Sequence, residues 1–283
     1  MRFIEQHFPL SSGSWTQTPV DPNKLPHGMS GAELLWMNVS LYQAAAALNA
    51  NARWQELITE NLAASAIPGF KKQEMSFSAV AAGVMPASAS GSQHYALPHA
   101  SAVTNFSAGE LKFTGVKTDV ALEGRGFLAV QMPDGNTAYT RDGEFQINAA
   151  GLLVTKQGFP VMGDGGPIQL DLNNPAPVSI ASGGDVSQGA DVKGKLRAVE
   201  FDDPKVLTPI NAGYFIASNI GQTPRDAETA VFRQGFLESA NTSAVSEMAH
   251  LIAAMRMYEA NQKVIQTHDE RMGRAISEIG NPS

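Results

Sequence analysis

Cysteine is absent from the 283 residues, which removes disulfides, thiolate nucleophiles and cysteine-ligated zinc together. No apolar run reaches the roughly 18 residues that a membrane-spanning helix needs, so direct membrane insertion is not expected. The N-terminus lacks the basic stretch and apolar segment of a cleaved secretory signal. Lys and Arg are nowhere clustered, and the formal net charge is −7; contacts with a phosphate backbone need the reverse, so nucleic acid is excluded as a partner. Tryptophan occurs only at Trp15, Trp36 and Trp54. A glycan-binding groove in the strand-rich middle would therefore lack its usual aromatic lining.

Catalytic constellations are equally scarce. The histidines at 7, 27, 94, 99, 250 and 268 show no metal-ligand spacing. Gly124-Arg-Gly126 opens like a phosphate loop but has no third glycine, and a strand follows it where a helix is required. Asp202-Asp203, Asp185 and Asp191 stand beside Pro, Gly or Ser and read as turn carboxylates serving the backbone. Asp164-Gly165-Gly166-Pro167 reads as a turn, and no Gly-x-Ser-x-Gly elbow occurs. The expectation is a protein with no catalytic residue, metal or cofactor. A hydrolase would need converging acid and base groups that the residues do not display.

What is present is a pair of amphipathic helices, one at each end. From Asn241 to Ile279 no proline occurs, and Val245, Met248, Ile252, Met255, Tyr258, Ile265, Met272, Ile276 and Ile279 recur at spacings of three, four or their sums. That period places them on one stripe of a helix. Ser243 is placed to cap it, and Glu247 to favour its positive end. A second alanine-rich stretch runs from Asn38 to Ala66, with Leu41, Ala45, Leu48, Ala52, Gln55, Ile58, Leu62 and Ala66 on one face, and Pro68-Gly69 stops it. Neither stripe is stable without a partner, because ordering each residue costs about 1 to 2 kcal/mol and only the apolar minority repays it. The two helices pack on each other or on copies from neighbouring molecules, as coiled-coil-like walls; the stripes leave both options open.

The predicted organisation is α+β: mainly antiparallel β-structure inserted between long N- and C-terminal helices that pack as a coiled-coil-like unit. Residues 1–36, with Pro9, Pro19, Pro22 and Pro26, read as a flexible extension. Met37 directly precedes the periodic segment and is an alternative start. Residues 37–70 form the N-terminal helix of a discontinuous helical domain, 71–105 a linker or extended arm, 106–239 a β-rich domain and 240–283 the C-terminal helix. Short runs such as Gly126–Gln131 and Thr137–Thr140, with Pro133-Asp-Gly-Asn136 as a hairpin turn, carry the β reading.

Several segments resemble one family, the axial proteins of the bacterial flagellum, and within it the basal-body rod proteins of the FlgF and FlgG kind. Asn61-Leu-Ala-Ala-Ser-Ala-Ile-Pro-Gly69-Phe70-Lys71 is similar to the family's Asn-Leu-Ala-Asn-x-x-Thr-x-Gly-Phe-Lys. Phe106-Ser-Ala-Gly-Glu-Leu111, Asp119-Val-Ala-Leu122, Tyr139-Thr-Arg-Asp-Gly-Glu-Phe145 and Gly151-Leu-Leu-Val-Thr155 follow in the family's order, and Gln234-Gly-Phe-Leu-Glu-Ser-Ala-Asn241 precedes the last helix. Ala64, Ile67 and Ser246 depart from the pattern. Gly158-Phe-Pro-Val-Met-Gly-Asp-Gly-Gly-Pro167 and the short segment between Phe70 and Phe106 are nearer the proximal FlgF kind than the distal FlgG kind or hook-type proteins.

The resemblance implies a structural subunit of the periplasmic rod, exported unfolded by the flagellar type III apparatus without a cleaved signal, with other rod and hook proteins and copies of itself as partners. The stripes then become subunit interfaces: Leu41, Leu48, Ile58 and Leu62 on the first helix, and Val245, Met248, Ile252, Met255, Ile265, Met272 and Ile276 on the last. Both helices are expected to be loosely ordered before assembly.

Overall fold

The computed structural model describes residues 31–84, 94–211, 213–217 and 224–280. Two helices bound it: α1 (Gly31–Ala64) and α2 (Ala244–Gly280). With 34 and 37 residues, they are about 50 and 55 Å long. α1 begins ahead of the expected Asn38 because no proline or turn cluster separates Gly31 from the alanine-rich stretch, and Ala32, Glu33, Leu34 and Leu35 are good helix formers. Residues 1–30 of the expected extension lie outside the described residues.

Both inner helix ends are specified by local chemistry. At the end of α1 the Ile67 N–H donates to the Ala64 carbonyl at 3.0 Å, Pro68 forbids continuation, and Gly69 takes φ +67° to turn the chain. At the start of α2 the Ser246 N–H donates to Ser243 Oγ at 3.2 Å, and the Thr242 hydroxyl donates to Glu247 Oε1 at 2.6 Å. One orphan amide is satisfied and a carboxylate is fixed at the positive end of the helix.

Between the helices lie only antiparallel pairings among the described residues. The segment read as a linker or extended arm contains β1 (Gln73–Val84) and β2 (His94–Thr104), a two-stranded ribbon in register from Gln73↔Thr104 that touches α1. Its Ala and Ser residues give no apolar alternation, which is why its strands escape the period test. The body follows with β3 (Leu111–Phe113), β4 (Val120–Glu123), β5 (Phe127–Gln131), β6 (Thr137–Thr140), β7 (Phe145–Ile147), β8 (Leu153–Thr155), β9 (Met162–Gly163) and β10 (Gly166–Pro167). It continues with β11 (Val178–Ile180), β12 (Asp185–Gln188), β13 (Asp191–Lys195), β14 (Ala198–Glu200), β15 (Leu207–Asn211), β16 (Tyr214–Ala217), β17 (Arg225–Asp226), β18 (Val231–Gln234) and β19 (Phe236–Glu238).

The central sheet runs β15-β16-β6-β5-β14-β17. Its strand β5 alternates between two cores: Leu128 and Val130 face a cluster with Val120, Leu153, Val161 and Leu196, whereas Phe127 and Ala129 face one with Tyr139, Phe201, Leu207 and Phe215. The sheet is thus buried on both faces. The Pro133–Asn136 turn joins β5 to β6, as its sequence predicts. Asp185 and Asp191, read as turn residues, instead open strands β12 and β13, since the turn between those strands is at Gly189-Ala190.

Close backbone approaches fix where this body folds on itself. A Cβ at Gly143 would stand 1.7 Å from the Val120 carbonyl oxygen, whereas one at Gly158, at φ +89°, would meet nothing within 4 Å. Gly143→Ala should therefore cost more than about 4 kcal/mol in urea unfolding, the tail of single-substitution effects, and Gly158→Ala only about 1 to 2 kcal/mol from its left-handed backbone.

Candidate assembly interface and the junction that presents it

The helices meet the β-body at a buried ionic cluster. Glu238, at the end of β19, is 1% exposed. Its Oε1 accepts from Lys71 Nζ and from the Gly109 N–H at 2.8 Å, and its Oε2 accepts from Arg141 Nη1 at 3.2 Å. Two cations therefore share one carboxylate. Carbonyl oxygens supply the remaining negative potential: Ser107 O accepts from Lys71 Nζ at 2.8 Å, and Leu122 O and Gly124 O accept from Arg141 at 2.8 and 2.7 Å. Burial pushes the Lys71 ammonium below its usual pKa, opposed by Glu238. The same burial lowers Arg141, whose guanidinium lies 5.5 Å from the Phe127 ring centroid.

Two asparagines tie the surrounding chain. Asn61, in the last turn of α1, donates to the Gln73 carbonyl at 2.8 Å and accepts the Gln73 N–H at 2.9 Å, so one side-chain amide clamps the root of β1. Asn241 accepts the Lys72 N–H and donates to the Asn105 carbonyl, both at 2.7 Å. Gly69 passes so close that a Cβ there would be 2.2 Å from the Arg141 carbonyl carbon, and its N–H donates to the Glu238 carbonyl at 2.7 Å. Beside the cluster, burial raises the Asp142 carboxyl to about 6.

From this junction the helices run antiparallel: Gln55 Nε2 donates to the Ala254 carbonyl at 3.4 Å, and the Asn241 N–H donates to the Phe70 carbonyl at 3.2 Å. On α2 the covered positions are Glu247, Leu251, Ala254, Tyr258, Asn261, Ile265 and His268, each buried or half-buried. Their steps of four and three trace one seam. A second stripe is left outside: Val245 is 79% exposed, Met248 51%, Ile252 55% and Met255 52%.

The expected interface residues thus divide. Val245, Met248, Ile252, Met255 and Met272 are exposed, Leu48, Leu62 and Ile265 are half-buried, and Ile58 is buried at 2% exposure. Leu41 and Ile276 lie on the helices, with side chains outside the described set. The junction residues Lys71, Arg141, Glu238, Asn61 and Asn241 were not singled out by period or chemistry, although each stands inside a motif that carries the family resemblance. Among the suspected carboxylates, Asp203 accepts the Lys205 N–H at 3.0 Å and caps a 3-10 turn, and Asp202 pairs with Arg225 at 3.0 Å. Among the described residues no group of three His, Asp or Glu is placed to hold a metal ion.

Residues 121–188 match the family described as the flagellar hook protein FlgE/F/G D1 domain, and 233–278 the family described as the flagellar basal body rod FlgEFG protein C-terminal region. The chain is 30% identical over 256 residues to the flagellar basal-body rod protein FlgF of Escherichia coli, covering 84% of this chain and 97% of that protein. It is 31% identical over 250 residues to FlgF of Salmonella typhimurium, with the same coverage. To the rod protein FlgG of Buchnera aphidicola it is 35% identical over 175 residues, 58% of this chain and 66% of that one.

The charge count of the junction sets an order of effects. Glu238→Gln leaves two buried cations without a counter-ion and should cost about 3 to 5 kcal/mol; Lys71→Met leaves a balanced Arg141–Glu238 pair and should cost less, as denaturant titration will read. For Asp142 the raised folded pKa means that the folded state holds the proton more tightly. The resulting stability is present below the ordinary value of 3.8 and is lost as pH rises through about 6. Asp142→Asn should flatten that slope, measured as melting temperature against pH.

Proposed function

We infer the mode of assembly from one premise: the chain belongs to the flagellar basal-body rod protein family. It is a structural subunit of the flagellar basal body, and membership of the rod implies association with other rod and hook components. The FlgF proteins of Escherichia coli and Salmonella typhimurium align over nearly their whole length and the FlgG relative over about two thirds of its own, which supports the FlgF-like, proximal reading over the distal one.

The single observation that carries the assembly mechanism is the two-sidedness of α2. One seam faces α1; the other, Val245, Met248, Ile252 and Met255, is apolar and open. Full burial of such a side chain is worth about 1.5 to 3 kcal/mol, and with half or more of each still exposed about 1 kcal/mol or more per residue remains to be gained by association. The seam at steps of four and three is the spacing of a coiled-coil face, so the paired helices act as one coiled-coil-like unit whose outer stripe is the subunit contact. Of the remaining predicted interface positions, Ile265 belongs to the seam against α1, and Met272 and Ile276, seven and eleven residues further on, continue the line of that seam; Leu41, Leu48 and Leu62 stay as the subunit contacts of α1.

The role is structural and not catalytic. Membership of the rod family implies export in an unfolded state through the flagellar type III apparatus, and ordering of the terminal helices then accompanies incorporation. The helices form the inner, subunit-joining part, and the β-body the part that sets stiffness between neighbours.

Ile252→Asp places a charge in the open stripe without touching the body. It should abolish motility and incorporation into isolated basal bodies while circular dichroism and thermal melting of the β-body stay unchanged. Normal motility in this variant would refute the assignment of the stripe.

A further inference from the structure

The stripe needs an acceptor, and the same chain carries a surface of matching character. Where the last turns of α1 pass the β15–β16 hairpin a half-open cavity of about 420 Å³ remains, walled by Ala63, Ile67, Pro209, Ile210 and Phe215, with Glu60 on its wall. Strand β15 is the edge of its sheet, so nothing in the same sheet closes this side. Glu60 and Ala63 lie nearly half a turn around α1 from Trp54, Ile58 and Asn61, which border the side toward Glu247 and His250 of α2, and no residue of α2 lines the cavity. The chain's own α2 therefore does not reach the cavity.

We propose that this cavity receives Ile252 and Met255 from the α2 helix of a second copy, with Arg256 of that helix paired to Glu60. The proposal rests on the assembly reading above and specifies its acceptor. Charge complementarity selects the occupant. Arg256 follows Met255 directly and sits one turn beyond Ile252, so it flanks the open stripe; Glu60 is exposed and stands on the wall of this recess, whose other charged wall residue, Lys71, is already paired with Glu238. Neither takes part in an ion pair within the described chain. Donor stripe and acceptor cavity occupy different faces of the molecule, so each contact leaves one of each free. A contact of that heterologous kind propagates instead of closing, which is what a rod requires.

The cysteine-free background permits a direct test. Full-length A63C and I252C chains are co-expressed in cells that lack the native protein, basal bodies are isolated and oxidised, and non-reducing electrophoresis is read for the mixed dimer. The expected result is an A63C–I252C cross-link that is absent when either variant is expressed alone. Charge reversal gives the second arm: E60R alone and R256E alone each reduce motility at least tenfold, and the double variant E60R/R256E regains it. No mixed cross-link together with no rescue overturns the cavity assignment. If Ile252→Asp still blocks incorporation in that case, the stripe remains an interface with a different acceptor; if it does not, the assembly reading falls as well.

Discussion

Glu238 holds two cations that the chain brings from opposite directions: Lys71 from just beyond α1, and Arg141 from the turn after β6. Lys71 and Glu238 are separated by 167 positions, so this one carboxylate closes a loop that contains the whole β-body. Taking three charged groups out of water is costly, and the cluster persists because every strong donor but Arg141 Nε finds an acceptor. The arrangement fixes geometry more than it adds stability. Guanidinium, ammonium and carboxylate admit few relative orientations once buried, and Gly69 and Gly109 let the backbones come near enough for those orientations to form.

The helices were legible because burial on one side leaves a three-and-four rhythm that survives any tertiary context. The rhythm identifies a stripe without saying what covers it. On α2 two stripes lie side by side, one through Leu251, Ala254 and Tyr258 and the other through Val245, Met248, Ile252 and Met255. The second is richer in large apolar side chains and dominates any reading by hydrophobicity, whereas the seam against α1 contains Glu247, Asn261 and His268. Polar residues in a tight helix contact hide that contact from a period count.

The junction was illegible for a different reason. Lys71, Arg141 and Glu238 are ordinary charged residues at unrelated positions, and only the fold makes them neighbours. Their one signal was membership of motifs shared with the rod family: Gly69-Phe70-Lys71, Tyr139 to Phe145 and Gln234 to Asn241 converge on this point. Those motifs look unrelated as strings, yet each supplies a part of the same joint. The ribbon β1–β2 shows the opposite limit, since a strand of Ala and Ser has nothing for a binary pattern to detect.

The paired amide bonds of Asn61 and Asn241 tie the last turn of α1, the root of β1 and the chain leading into α2 to one another. A load carried along either helix into the body would meet these bonds and the Glu238 contacts within a few residues of one another. Bonds loaded in parallel yield at higher force than the same bonds opened in series, so a cluster of this kind would resist twisting of the helix pair against the β-body.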